Sequence, residues 1–174
     1  MEGNVEYMYL DSEGNVTAGK GKKLPDADSA VVLPFLHNGT STPASEDEIR
    51  AEHDLIARMQ ADKGRPASYF EQFTSLFLSQ SEIDRLVTDH MRGDFKALLR
   101  LYPDFGNLPS SAQIALWDMI YNLGPKGLAG FKLLRQAVED GDWEEAARQS
   151  HRLEINDDRN DFVFNLFMDA AEDP

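Results

Sequence analysis

The stretch MEGNVEYMYLDSEGNVTAGKG opens the chain and carries groups that together can break an acetal: carboxylates at Glu2 and Asp11 and a hydroxyl at Thr17. Hydrolysis of a glycosidic bond needs a proton for the leaving oxygen and a water steered onto the anomeric carbon. A carboxylic acid with a raised pKa donates the proton. A second carboxylate holds or activates the water, a hydroxyl helps aim it, and in inverting enzymes the two carboxyls stand about 6.5–9.5 Å apart. Glu2 at a helix end, Asp11 near a hairpin turn and Thr17 on the return strand would make that triangle. Each residue also has an ordinary reading. Aspartate often shapes turns, threonine is at home in strands, and Glu2 would be a surface residue near a chain end. Residue types alone leave both readings open.

The elements that must position these groups are legible in outline. Residues 7–18 read as a hairpin: YMYL is the outgoing strand, SEGN the turn and VTA the return, with Gly14 suited to positive φ. Gly19 and Gly21 keep the backbone bare beside it. Residues 24–44, with Pro25, Pro34, Gly39 and Pro43, are expected to be irregular, anchored by the PFL stretch at 34–36. Ser45 and Glu48 form a capping-box pattern for a helix running to about Asp62. The aromatic residues Tyr69, Phe70, Phe73 and Phe77 follow at roughly helical spacing and are expected in the core. Ser79 and Glu82 repeat the capping pattern for a helix whose buried stripe is Ile83, Leu86, Val87 and His90 or Met91, bent at Gly93. Residues 110–123 predict a central core helix, apolar nearly all round, ended by Gly124 and Pro125. Three further helices follow, the last carrying Phe162, Phe164, Leu166, Phe167 and Ala170. The expected fold class is α+β: one domain over 1–174, with a small β-lobe over about 1–44 and a mainly helical lobe over about 45–174.

Composition bounds the function. The chain has 174 residues, 41% hydrophobic and 28% charged, which suits one globular domain. It has no cysteine, so disulfides and thiolate sites are excluded. A formal charge of −14 argues against nucleic acid as a partner, because phosphate repels an acidic surface. No transmembrane run and no secretory signal are read, so stable membrane insertion is not expected. Asp11 to Asn15 faintly suggest a calcium loop, but Val16 stands at its sixth position and Lys22 at its twelfth, where glycine and glutamate are required. His37, His53, His90 and His151 are widely separated, and neither a metal nor a cofactor is expected.

The stretch EGNVEYMYLDSEGNVTAGKG resembles the opening of the phage-type lysozymes. There a helix ends at a catalytic Glu-Gly and a hairpin supplies an Asp and a Thr. The resemblance implies Glu2 as general acid and Asp11 with Thr17 as the water-positioning pair; Gly14, Gly19 and Gly21 match as well. LSQSEIDRLVTDHM, ALWDMIYNLGPKGLAGF and DWEEAARQSHR with DDRNDF resemble later helices of that family, so the match covers roughly residues 2–24 and 76–171. It implies a lysozyme-like fold with the active-site cleft between its two lobes. Asn122 falls on a substrate-contacting amide, with Gly19 and Gly21 also beside substrate, and Arg159 falls on a recurrent arginine read as structural. YMYLD resembles the hairpins of lysozyme-like toxin domains in larger secreted bacterial effectors more than the phage ones. That resemblance implies a muramidase cut from a longer chain, made in the bacterial cytoplasm and acting in the periplasm or on the cell wall after delivery. Its partners would be peptidoglycan strands, a cognate immunity protein and a secretion-apparatus parent chain, and the domain itself would be monomeric.

The chain departs from that pattern in three places. Lys22 stands where the family has His after the Gly-x-Gly, and a lysine beside an ionised Glu2 would impair an acid. Residues 25–75 are longer than in the compact phage form, so the insertion would reshape the cleft or bind a partner. The acidic balance conflicts with an anionic wall substrate. The rival readings are a lytic transglycosylase, chitin cleavage, and a degenerate fold kept as a glycan-binding or structural module.

Overall fold

The apolar run after Asn4 becomes strand β1 (Val5–Leu10), which turns at Gly14 and returns as β2 (Val16–Gly19) and then β3 (Lys22–Lys23). The computed structural model describes residues 4–153 and 155–172. The three strands form an antiparallel sheet in the order β1-β2-β3. Tyr9 stands opposite Thr17 and Leu10 opposite Val16, and the register slips between Val5 and Tyr9. Gly14 supplies the positive φ, 86°, that the turn requires.

The segment expected to be irregular is partly ordered. Asp26 and Ser29 close a capping box around the short helix α1 (Ala27–Val31). Strand β4 (Leu36–His37) then pairs with β5 (Leu76–Phe77). Phe35 is buried, so the anchoring role expected of PFL holds. Helix α2 (Glu46–Arg58) begins at the Ser45–Glu48 capping box and ends four residues early, because Met59 leaves helical geometry and a 3₁₀ turn, Gln60–Asp62, takes over. The aromatic run after it is not helical. Pro66 opens two 3₁₀ turns, Ala67–Tyr69 and Glu71–Phe73, and then comes β5. Of its four aromatic residues only Phe70 is fully buried, and Phe73 is exposed. The alternating residues Leu76 and Leu78 fill the core instead, as a period-two strand dictates.

The chain divides into two compact units, one ending at Asp89 and one beginning at His90, and each has its own core. In the first, the sheet and α2 share a core that includes Met8, Leu10, Val16, Phe35, Ile56 and Phe70. Helix α3 (Gln80–Leu101) contains the division between the units. The Ser79 hydroxyl accepts from the Glu82 N–H, but the Glu82 carboxylate takes Arg85 rather than closing a capping box. The helix runs unbroken through Gly93, and His90 and Met91 are exposed while Asp94, Ala97 and Leu98 are buried.

In the second unit, α4 (Ser110–Ala129) is broken at Gly124, where its first helical stretch ends as expected. Gly124 takes φ 67° and ψ 171°, a kink from which Pro125 starts a further helical stretch. Its buried face is Ala112, Ala115, Leu116, Met119 and Ile120, while Ile114 and Tyr121 are exposed, so it is not apolar all round. Helices α5 (Lys132–Asp140), α6 (Trp143–Gln149) and α7 (Asp157–Glu172) complete the unit. In α7 the inward stripe is Asn160, Val163, Phe167 and Ala170, whose three- and four-residue spacing leaves Phe162 and Phe164 exposed. The fold class is α+β, mostly helical with small antiparallel sheets. Among the described residues no helix is long and apolar enough to cross a membrane.

Candidate active site

The hairpin brings Asp11 and Thr17 to one face. Opposed residues in an antiparallel pair share a face and alternate residues return to it. Thr17 lies opposite Tyr9, and Asp11 follows Tyr9 by two. Asp11 also continues the ladder, its N–H donating to the Asn15 carbonyl at 3.0 Å. The same register sets Lys23 opposite Thr17, whereas Lys22 pairs with Ala18 on the other face. The lysine that meets the carboxylate is therefore Lys23, its Nζ 3.7 Å from Asp11 Oδ2 and 2.5 Å from Glu13 Oε2. Sequence reasoning considered Lys22 beside Glu2 and did not single out Lys23, which the strand register sets beside Asp11.

Asp11 is held as an anion. Burial alone would raise its pKa, but hydrogen bonds and Lys23 outweigh that and lower it from the ordinary carboxyl value. Its Oδ1 accepts from the N–H groups of Glu13 at 2.9 Å and Asn15 at 2.8 Å, and its Oδ2 accepts from the Asn15 amide at 3.0 Å. Glu13 is also lowered, first by its hydrogen bond from Lys23. Thr17 is buried, and its hydroxyl donates to the Asn15 carbonyl at 3.2 Å.

Beside Asp11 lies a pocket of about 290 Å³. Val5, Tyr9 and Asp11 line one part, and Gly64, Arg65 and Pro66 another. The segment after residue 24 thus supplies a wall of the pocket that holds Asp11. Nothing in the sequence marks Arg65 in advance, since it lies in a turn with no periodic pattern.

Glu2, the expected acid, lies outside the described residues, and so does any contact between it and Lys22. Gly19 has φ 66° and Gly21 φ 82°, so both positions require glycine for backbone reasons. A Cβ on Gly19 would make ordinary contact with Ile83, at 3.6 Å, so side-chain packing lies on that side of it. Asn122 lies in the second unit. Its amide N–H₂ donates to the Asp118 carbonyl and carboxylate, which leaves its carbonyl oxygen for a further donor. Asp118 also accepts from Arg152 at 2.7 Å and Arg159 at 2.8 Å. Arg159 thus has the structural pairing expected of it, and the buried Arg152 is a partner that sequence reasoning missed. Among the described residues no group of three or more acidic or histidine side chains is placed to hold a metal ion.

No known family profile matches the chain, and no curated protein matches it.

Proposed function

We propose that the chain is a peptidoglycan hydrolase, an endo-acting muramidase that cuts the β-1,4 bond between N-acetylmuramic acid and N-acetylglucosamine. The supporting observation is an aspartate kept ionised by hairpin N–H groups and Lys23, on the same strand face as Thr17, at the wall of a pocket. Its volume lies near the ~300 Å³ lower end of small-molecule pockets. A residue that holds an attacking water must stay a carboxylate, and the contacts of Asp11 favour that state.

In this reading Glu2 protonates the glycosidic oxygen. Asp11, aided by Thr17, holds the water that attacks the anomeric carbon from the opposite face, so the product is inverted. Asn122 offers its free carbonyl oxygen to a sugar donor, and Gly19 and Gly21 shape the backbone beside the substrate. The lysozyme-like arrangement of the lobes belongs to the same proposal. So does delivery to the periplasm or wall as the toxin part of a larger effector, with an immunity partner in the producing cell.

Mass analysis of fragments released from purified peptidoglycan is the test. The intact protein should give reducing-end muramic acid products, and Glu2→Gln should fold and release at least ~10²-fold less. Anhydro-muramic products would replace hydrolysis with transglycosylation, and undiminished release by Glu2→Gln would remove Glu2 from the chemistry. A second reading, a glycan-binding or structural module, draws on one observation: hairpin donors already occupy both oxygens of Asp11. Absence of any released fragment would favour it.

A further inference from the structure

The net charge of −14 raises a physical difficulty for the proposed function, because the wall polymer is itself anionic. The pocket beside Asp11 contains a local answer. Arg65 lines it and is exposed, with 62% of its side chain open to solvent. Its guanidinium lies over the Tyr69 ring, 5.3 Å from the centroid, which restricts the side chain without consuming its N–H donors. Its ion pair with Asp62 is long, at 4.0 Å. Asp11, on the same pocket, takes its cationic contact from Lys23 and its hydrogen bonds from Asn15 and Glu13. Among the described residues, Arg65 is therefore a pre-positioned cation with unspent donors on the wall of an acidic protein's pocket.

We infer that Arg65 is a specificity residue that binds a carboxylate carried on the side arm of the substrate's sugar. A planar guanidinium fork matches a carboxylate with two parallel hydrogen bonds. The inference rests on the proposed function and narrows it: the pocket prefers muramic sugars, whose lactyl arm or stem peptide ends in carboxylates, over N-acetylglucosamine alone. It gives the 25–75 segment a task, since that segment contributes both Arg65 and the Tyr69 ring beneath it.

The experiment measures binding and turnover separately, on the full chain and on Arg65→Gln and Arg65→Lys. Three soluble probes are used: glycan fragments with intact stem peptides, the same fragments with stems removed to expose the lactyl carboxylate, and chitooligosaccharides, which have no carboxylate. Arg65→Gln should weaken binding to a carboxylate-bearing probe about tenfold, as loss of one charge-assisted contact near solvent predicts. It should raise KM by the same factor with kcat unchanged, and leave chitooligosaccharide binding as it was. Arg65→Lys should recover part of the loss, because charge remains but the fork does not. Whichever carboxylate-bearing probe shows the tenfold effect identifies the source of the carboxylate. Equal losses on all three probes, or none on the carboxylate-bearing pair, overturn the inference. Binding without cleavage, still sensitive to Arg65, would remove the hydrolase reading and keep this one; binding to no probe removes both.

Discussion

Asp11 in the first unit and Asp118 in the second are both anchored aspartates, and their anchors differ in kind. Asp118 is held by two arginines. Arg152 has only 1% of its side chain exposed and relies on Asp118, the Asn160 side-chain oxygen and the Arg159 carbonyl. The fold of that unit therefore needs a negative charge at position 118, because without it a buried guanidinium has no counter-charge. Asp11 is held by backbone N–H groups and by Lys23, whose side chain is 53% exposed. The hairpin needs an acceptor at position 11, but water can serve Lys23 equally well. A charge that the fold does not require, standing at a pocket, is the kind of group that function explains.

The comparison breaks or survives on two isosteric substitutions. Asp118→Asn should destabilise the second unit by about 3–5 kcal/mol, the cost of leaving a buried cation unpaired. Urea unfolding followed by helical circular dichroism should show a lower midpoint at unchanged slope. A loss under about 1 kcal/mol would mean that Arg152 is satisfied without Asp118, and the contrast would go. Asp11→Asn keeps an oxygen for the N–H groups of Glu13 and Asn15 and removes only the charge. It should cost about 1 kcal/mol or less in stability and about 100-fold in glycan turnover. If turnover holds while stability falls, Asp11 is a turn former, and its charge is structural like that of Asp118.

The hairpin, the capped helix after Ser45 and the helices of the second unit were legible because their signals are local. Turn glycines, capping residues and apolar periodicity act within a few residues of chain. The pairing of Asp11 with Thr17 was legible from hairpin geometry for the same reason. What stayed hidden depends on distant residues. Arg65 meets the Asp11 pocket through a turn about fifty residues away, and Arg152 meets Asp118 from beyond the end of α6. The Phe70 segment misled because four aromatics at near-helical spacing carry the same pattern as 3₁₀ turns followed by a strand. Pro66 at its start and the alternation of Leu76 with Leu78 were the discriminating marks.

A smaller effect sharpens the contrast inside the first unit. Glu52 is buried, its Oε2 accepts from the Ser75 N–H at 2.7 Å and hydroxyl at 2.9 Å, and its Oε1 has no hydrogen-bond partner among the described residues. Burial pushes its pKa up, against the opposing hydrogen bonds from Ser75 and Leu76. Asp11 is shifted the other way, so the two carboxyls carry opposite linkage. The contribution of Asp11 is present above the ordinary carboxyl value and is lost as pH falls through its lowered pKa. The contribution of Glu52 is fully present below the ordinary value and is lost as pH rises through its raised pKa. Glu52→Gln keeps an oxygen for Ser75 and removes the charge, but sets an amide where Oε1 already lacks a partner, so the two changes nearly offset. The variant should lie within about 1 kcal/mol of the parent, gaining on it as pH rises from the ordinary carboxyl value through the raised pKa of Glu52. A difference in urea midpoint that does not change across that range would mean that Glu52 is solvated as readily as an exposed carboxylate, and that the first unit does not spend stability on burying it.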